Sequence, residues 1–186
     1  MRGDQLVIED HHRRAADGLY DAVGAALKAS PVRQVITIAG ESGSGKSETA
    51  EALADILQDH GIKTVIFQQD DYFVHPPRSN DRARRADIDW VGPQEVRLDL
   101  MDEHLAAFHH GADEVAKPLV DYAADRIDEE DFSLEGAQVA IAEGTYTTLL
   151  EQANWRAFIN RTAAETRAHR EKRAGHASEL DPFIER

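Results

Sequence analysis

At residues 40–47 the chain reads Gly40-Glu41-Ser42-Gly43-Ser44-Gly45-Lys46-Ser47, which matches the phosphate-binding loop pattern G-x-x-x-x-G-K-[ST]. Because glycine has no Cβ, such a loop turns sharply and directs successive N–H groups at phosphate oxygens. The lysine of the pattern, Lys46, places a positive charge at the β- and γ-phosphates, and the hydroxyl of Ser47 is a ligand for Mg²⁺. Residues 40–47 are therefore predicted to bind nucleotide phosphates together with Mg²⁺.

The segments on either side of this loop fit a strand before it and a helix after it. Residues 34–39 form a β-branched run that suits a buried parallel strand. Downstream, apolar residues recur at helical spacing and Gly61 follows as a helix stop; they are Ala50, Leu53, Ala54 and Leu57. A flexible glycine-serine turn is the alternative interpretation. The agreement of motif and flanks favours the phosphate site.

Composition narrows the class of protein. The 186 residues suffice for one domain with a sizeable core, and the net charge of −14 disfavours nucleic acid or an anionic membrane as partners. The chain has no cysteine, no run of eighteen apolar residues, and no apolar core in its first ten residues. We therefore expect a cytoplasmic protein without membrane or nucleic-acid partners, and the oligomeric state is left open.

The rest of the chain predicts an α/β protein with the three-layer α/β/α architecture of P-loop NTPases and a mainly parallel sheet. Further strands are predicted at residues 63–68, 138–142 and 155–160, a leading helix at 11–29, and another helix from Pro93 to Gly111. Residues 74–92 are expected to be an irregular surface loop, 117–122 a short extended piece, and 132–136 a small hairpin or turn. The histidines, among them His12 and His104, are expected at the surface.

Acidic residues follow two of the predicted strands. Asp70 and Asp71 come after residues 63–68, and Glu143 follows residues 138–142. In an open parallel sheet the ligand lies outside the carboxyl ends of the strands, so these carboxylates should share an edge with the loop. Asp70 is predicted to accept a proton from an attacking hydroxyl or to hold Mg²⁺ through water, and Glu143 to lie near the metal. Ordinary turn or helix capping is the alternative for each.

A basic helix is predicted near the end of the chain, at residues 165–172. Arg167 and Arg170 are three residues apart and therefore share one helix face. They are placed either to stabilise charge on a transferring phosphate or to pair with Glu165 and Glu171. The spacing does not decide between these interpretations.

Taken together, these segments resemble the uridine kinase family of P-loop phosphotransferases, whose relatives include phosphoribulokinase and pantothenate kinase. Besides the loop, the resemblance rests on four short segments in family order, which are Gln69-Asp70-Asp71-Tyr72-Phe73, Asp89-Trp90-Val91-Gly92-Pro93, Pro118-Leu119-Val120-Asp121-Tyr122 and Glu143-Gly144. It implies a base at Asp70, lid arginines at Arg167 and Arg170, and acceptor-side residues at Asp89, Tyr122 and Arg126. Lys46 would act on the transferred group. Ser47, Asp70 and Glu143 would surround the metal.

The resemblance implies ATP and Mg²⁺ as cofactors and phosphorylation of a hydroxyl on a small metabolite. A nucleoside such as uridine or cytidine is the first choice, although Val120 and Asp125 replace a tyrosine and a histidine that the family usually has there. The alternatives are a sugar phosphate or pantothenate as acceptor, or a regulatory nucleotide-binding module that hydrolyses ATP slowly. Residues 1–186 are expected to form one kinase domain, with a leading helix within 1–30 and a helical lid at about 161–176. The chain ends at Arg186, before the last helix and strand that the family normally has, so either the sequence is a shortened one or these elements are missing.

Overall fold

The computed structural model of the protein describes residues 6–161 and residue 166. Its helices are α1 (Asp10–Ala29), α2 (Lys46–Asp59), α3 (Pro77–Ala86) and α4 (Leu98–His109). Its strands are β1 (Gln34–Gly40), β2 (Thr64–Gln68), β3 (Glu114–Asp121), β4 (Arg126–Ser133), β5 (Val139–Glu143) and β6 (Trp155–Ile159). The predicted lid helix, with Arg167 and Arg170, lies outside the described residues.

Within the described residues, the central sheet is parallel throughout and has the strand order β2-β5-β1-β6. The predicted parallel sheet is thus confirmed. Glu143, the last residue of β5, pairs with Ile38 of β1 on one side and with Gln68 of β2 on the other. This register places the acid at the carboxyl edge of the sheet, next to the end of β1, where the loop at residues 40–47 begins.

Helices and loops cover both faces of this sheet, which confirms the predicted α/β/α layers. Alternate residues of β1 point to opposite faces, so Ile36 and Ile38 join one core and Val35 joins the other. The first core contains Leu53 and Leu57 of α2 together with residues of α1. The second core is filled by α4, the turn after β2 and the segments near β3 and β4, and includes Phe67, Tyr72, Met101, Leu105 and Phe108.

Strands β3 and β4 form an antiparallel hairpin beside the main sheet, with Asp121 paired to Arg126 at its turn. The extended piece predicted at 117–122 is confirmed, and a turn lies at Glu135 and Gly136, within the hairpin or turn predicted at 132–136. Strand β4, however, was not predicted. The acidic run Asp128–Asp131 belongs to β4, where its side chains alternate between exposed and half-buried positions. The strand was not recognised in the sequence because its run of charged residues shows no apolar alternation, and one face of β4 is exposed to solvent.

Residues 74–92 were also predicted wrongly, because α3 lies within them. Pro77 takes the first helical position, where its missing N–H costs nothing. Helix α3 buries only Asn80 and shows no apolar stripe, because its packing contacts are polar. Helix α4 begins at Leu98 rather than at Pro93, since Val96 makes a β-bridge with Phe73.

Two of the histidines that were expected at the surface are buried, which corrects that prediction. The Nδ1 atom of His104 lies 2.9 Å from the Tyr72 hydroxyl, and burial lowers the pKa of His104. His12 accepts a hydrogen bond from the Glu9 backbone N–H at 3.1 Å and helps to cap the start of α1. In the described part of the chain, no helix is both long and apolar enough to cross a membrane.

Candidate functional site

The loop at residues 40–47 joins β1 to the N-terminus of α2. Gly43 and Gly45 have φ values of 72° and 91°, in the left-handed region that glycine adopts without strain. Lys46 is the first residue of α2, and its Nζ donates to the Glu41 carbonyl oxygen at 2.9 Å. The lysine therefore folds back over the loop at the N-terminus of α2, the positive end of the helix dipole, which is an arrangement that binds anions.

The loop is tightly packed at Gly40 and holds a buried hydroxyl group at Ser44. A Cβ on Gly40 would lie 2.8 Å from the Ser44 Oγ and 3.0 Å from the Ile159 carbonyl oxygen, so only glycine fits there. The Ser44 hydroxyl is buried and has no hydrogen-bond partner among the described residues. A buried donor of this kind is costly unless a ligand satisfies it, and a phosphate oxygen would do so.

Helix α1 supports the loop from behind. A Cβ on Gly45 would approach the His12 Nε2 to 2.6 Å, so the imidazole ring lies directly against the backbone of the loop. The histidine is 1% exposed, and α1 packs along α2. Gly45 is thus required both by its positive φ and by the space that His12 occupies. No sequence pattern predicts this contact, because thirty-three positions separate the two residues.

Ser47 and Glu143 meet at the carboxyl edge of the sheet, where the Ser47 Oγ donates to the Glu143 Oε1 at 3.0 Å. Burial first, and then the charge of Asp70, raise the pKa of Glu143 to about 7, while Lys46 and the Ser47 hydrogen bond act in the opposite direction. Two carboxylates that destabilise each other's charge, beside a hydroxyl, are a set of hard oxygen ligands that a cation would stabilise.

This ligand set suits Mg²⁺ in particular. Magnesium usually keeps several waters and binds through one or two carboxylates together with substrate phosphates. Residues 6–161 and 166 contain no group of three or more His, Cys, Asp or Glu side chains that could hold a metal by themselves. The predicted residues Ser47, Asp70 and Glu143 therefore fit a metal that phosphate oxygens and water help to coordinate.

The structure separates the two neighbouring acids that follow β2. Asp71 is buried; its Oδ2 pairs with the Lys117 Nζ at 2.9 Å, and its Oδ1 accepts from the Val120 N–H at 3.0 Å. It thereby ties the hairpin to the end of β2. Asp70 is exposed, and its charge acts on both Glu143 and Arg84. Asp70 is therefore the acid of this pair that faces the site.

On the far side of Asp70 lies a set of contacts that we call the Glu95 network, which comprises Glu95, Arg84, Asn80, Trp90 and Tyr146. The carboxylate of Glu95 is buried and receives Arg84 through two hydrogen bonds, Nε to Oε2 at 2.6 Å and Nη2 to Oε1 at 2.8 Å. Asn80 and Tyr146 donate to the same carboxylate at 3.1 and 3.3 Å, and the Trp90 indole N–H donates to the Asn80 Oδ1 at 2.9 Å.

The Glu95 network is linked electrostatically to the rest of the site. The pKa of Arg84 is raised overall. Burial alone would lower it, but the hydrogen bond and the charge of Glu95 outweigh this effect, and Tyr146 and Asp70 add smaller contributions in the same direction as Glu95. The pKa of Tyr146 is raised by burial and by Glu95, and Glu41 of the loop contributes. Sequence reasoning missed this network, because no motif marks its members and they come from four separate segments.

The residues predicted on the acceptor side lie in two segments near α3, the turn that follows it and the turn of the β3–β4 hairpin. Asp89 is exposed in a turn after α3, and its N–H donates to Asp87. Tyr122 is exposed at the hairpin turn, and Arg126 pairs there with Asp128 at 2.8 Å. The same turn contacts α3, because the Asp125 Oδ1 accepts from the Arg78 N–H at 2.7 Å. The hairpin turn and α3 are thus brought together, and the roles of Asp89, Tyr122 and Arg126 stay predictions.

The parallel sheet, the glycine loop at the start of a helix and the strand-end acids define a P-loop protein with the architecture of small-molecule kinases. Residues 35–162 match the model of the phosphoribulokinase / uridine kinase family. The chain therefore belongs to that family, as the resemblance predicted.

Individual relatives agree with this assignment. The chain is 30% identical over 164 residues to the bifunctional alpha-galactosidase/sucrose kinase AgaSK of Mediterraneibacter gnavus, which covers 82% of this chain and 18% of that protein. It is 34% identical over 110 residues to a uridine kinase of Bacillus cereus, covering 59% and 50%. The chain thus spans half or less of the length of these curated relatives.

The solved structures share the fold. A crystal structure from Silicibacter sp. TM1040, provisionally assigned as a fructose transport system kinase, superimposes with a TM-score of 0.71 at 21% identity. The superposition covers 94% of this chain and 86% of that one.

Proposed function

We propose that the protein is an ATP-dependent kinase that transfers the γ-phosphoryl group of ATP to a hydroxyl group of a small metabolite. The observation that carries the proposal is the hydrogen bond between Ser47 and Glu143, with Asp70 beside them, at the end of a phosphate-binding loop. Nucleotide binding alone needs only the loop. A strand-end carboxylate on the loop serine and a second, exposed carboxylate next to it are what phosphoryl transfer requires in addition.

Each residue of the site has a distinct role in this proposal. The loop N–H groups and Lys46 bind and orient the phosphates of ATP, and Ser44 donates to a phosphate oxygen. Ser47, Glu143 and Asp70 would hold Mg²⁺, which would neutralise the charge of the phosphates. Asp70 accepts the proton of the acceptor hydroxyl as its oxygen bonds to the γ-phosphorus and the bond from that phosphorus to the leaving ADP oxygen breaks. Arg167 and Arg170 are proposed to close over the transferred group, as the sequence predicts.

The relatives support two kinds of acceptor. A uridine kinase matches part of the chain, which supports the nucleoside acceptor predicted first. A sucrose kinase matches a larger part, which supports a sugar, and here Val120 and Asp125 depart from the nucleoside pattern. Both acceptors are small and carry several hydroxyl groups, so the reaction at Asp70 is the same for either.

The test is a measurement of ADP release from ATP and Mg²⁺, with and without a panel of nucleosides, sugars, sugar phosphates, pantothenate and glycerate. We expect release that depends on an acceptor, with one phosphorylated product per ADP. Slow hydrolysis that no acceptor stimulates would instead support the regulatory nucleotide-binding module. Lys46→Ala serves as the matched control, because it should weaken both ADP binding and turnover.

A further inference from the structure

The Glu95 network fixes one arginine of the arginine-rich helix α3. The Glu95 side chain is 2% exposed, whereas the Arg84 side chain is 37% exposed. A planar guanidinium held at two of its nitrogens by a buried carboxylate cannot rotate away without breaking both bonds. Arg84 is therefore anchored on its inner side and open on its outer side. Its neighbours Arg82 and Arg85 bond instead to Ser79 and Asp81 on α3 itself.

The geometry leaves one edge of Arg84 for a ligand. The two bonds to Glu95 use Nε and Nη2, so neither of them uses Nη1. Tyr146 connects the Glu95 network to the turn that contains Asp70, because its hydroxyl donates to Glu95 and its backbone N–H donates to the Gln69 Oε1 at 2.7 Å. Gln69 precedes Asp70, the residue proposed to accept the acceptor's proton, and the charge of Asp70 contributes to the raised pKa of Arg84. The fixed guanidinium and Asp70 therefore belong to one connected group of residues.

The charge balance around Arg84 favours an uncharged ligand. Glu95 already compensates the charge of Arg84, and Asp70 adds a further negative charge nearby. An anionic group of the acceptor placed at Arg84 would meet the negative charge of Glu95 as well as the guanidinium, so Arg84 offers it little net attraction. A neutral hydroxyl group needs only directed N–H donors, which the guanidinium edge supplies.

An aromatic wall is attached to the same network. The Trp90 ring is fixed through Asn80, and the His75 ring lies against it with centroids 5.3 Å apart and an angle of 32° between the planes. A flat, largely apolar wall beside a few fixed polar groups is typical of small-ligand sites.

On these grounds, and resting on the proposed kinase function, we propose that Arg84 binds the phosphate acceptor and selects an uncharged, polyhydroxylated molecule such as a sugar or sugar alcohol. Its Nη1 edge donates to acceptor hydroxyl oxygens while the reacting hydroxyl lies at Asp70. Glu95 is the positioning residue that fixes the guanidinium. A site built to hydrogen-bond hydroxyl groups discriminates strongly against analogues that lack them.

The experiment uses steady-state kinetics of the full chain with ATP and Mg²⁺ against neutral hexoses, disaccharides and sugar alcohols, nucleosides, and sugar phosphates. We expect a neutral sugar or sugar alcohol to be phosphorylated. Arg84→Gln should raise the acceptor KM by about 10- to 100-fold, the range for a hydrogen bond from a charged donor, with the KM for ATP unchanged. Glu95→Gln should act in the same direction, because it loosens the guanidinium.

Two further variants keep the test independent of folding defects. Arg84→Lys retains a positive charge for the buried Glu95 but offers no planar edge, so it should fold normally and still show a raised acceptor KM. Arg85→Gln, one position along α3, removes the exposed pair with Asp81 and should leave the kinetics unchanged.

Several outcomes would overturn the inference. Exclusive phosphorylation of nucleosides or of sugar phosphates would remove the proposed acceptor class while keeping the kinase. An unchanged acceptor KM in folded Arg84→Lys, or an equal rise in the KM for ATP, would remove Arg84 from the acceptor site. ADP binding without phosphoryl transfer to any panel member would instead remove the kinase function, and the inference with it.

Discussion

The phosphate-binding loop is built from neighbouring residues of the chain, whereas the Glu95 network joins residues that are far apart in sequence. The loop consists of eight consecutive residues, and the Lys46 hydrogen bond that folds over it spans only five positions. The Glu95 network joins residues from α3, two turns and the segment after β5, with Tyr146 fifty-one positions from Glu95. One half of the site is therefore a backbone motif, and the other is an assembly of side chains.

This difference determines how each half responds to substitution. A backbone cradle depends on glycine conformation and on the start of a helix, so most of its donors survive the loss of any one side chain. A side-chain assembly loses a partner with each truncation, and every buried polar group left behind is costly. We expect the two halves to separate experimentally into ADP affinity on one side and acceptor handling on the other.

The largest effect should come from Asp70→Asn. Because the amide cannot accept the proton of the acceptor hydroxyl, we expect turnover to fall by about 10²- to 10⁴-fold. ADP affinity should change little, since the phosphates are proposed to bind at the loop, and the exposed position of Asp70 predicts a nearly unchanged melting temperature. Calorimetric titration with ADP and a coupled kinetic assay measure the two quantities. Turnover near that of the wild type would show that Asp70 is not the base.

The adjacent substitution Asp71→Asn should give the opposite pattern. It removes one carboxylate partner of the buried Lys117, which keeps Glu130 at 2.8 Å, so we expect a loss of about 1–3 kcal/mol in the free energy of unfolding. Folded protein should keep its ADP affinity, because the loop is built elsewhere. Urea unfolding of the two variants side by side measures the contrast. If both variants lost equal stability, the assignment of Asp71 to the hairpin and of Asp70 to the site would be wrong.

Glu143→Gln should stabilise the nucleotide-free protein while it damages the metal site. The pKa of Glu143 is raised from 4.5 to about 7, so the folded state binds the proton more tightly than the unfolded chain. Ionisation of Glu143 therefore lowers the free energy of unfolding as the pH rises from about 4.5 to 7, and the full loss is present above pH 7. We expect the variant to gain about 1–3 kcal/mol at pH 8 and little at pH 4.5. Urea unfolding in EDTA at both pH values measures this, and a pH-independent difference would contradict it.

The same division between the loop and the Glu95 network explains which parts of the site could be predicted from the sequence. The loop, its flanking strand and helix, and the strand-end acids Asp70 and Glu143 were predictable, because each is encoded by neighbouring residues or by its position at a strand end. Helix α3 was not, because a helix that packs through Asn80 and Arg84 has no apolar period to detect. His12 was missed for a related reason, since its contact with Gly45 depends on how α1 packs on α2.

The smallest effect should come from Tyr72→Phe, which probes the support beneath the acceptor side. The Tyr72 hydroxyl and the Nδ1 of His104 form a hydrogen bond of 2.9 Å, and both side chains are buried. Burial lowers the pKa of His104, which favours the neutral ring at about pH 7.5. Losing this one hydrogen bond should cost about 1 kcal/mol in the free energy of unfolding.

Tyr122→Phe provides the matched control for that measurement, because its ring is 64% exposed and its substitution should change stability by less than about 0.5 kcal/mol. The turn that contains Tyr72 also contains Asp70 and Asp71, whereas the loop at residues 40–47 is built on β1 and α2. Tyr72→Phe should therefore raise the acceptor KM slightly and leave ADP affinity unchanged. A loss of ADP affinity in this variant would show that the two halves of the site are coupled through the core rather than built separately.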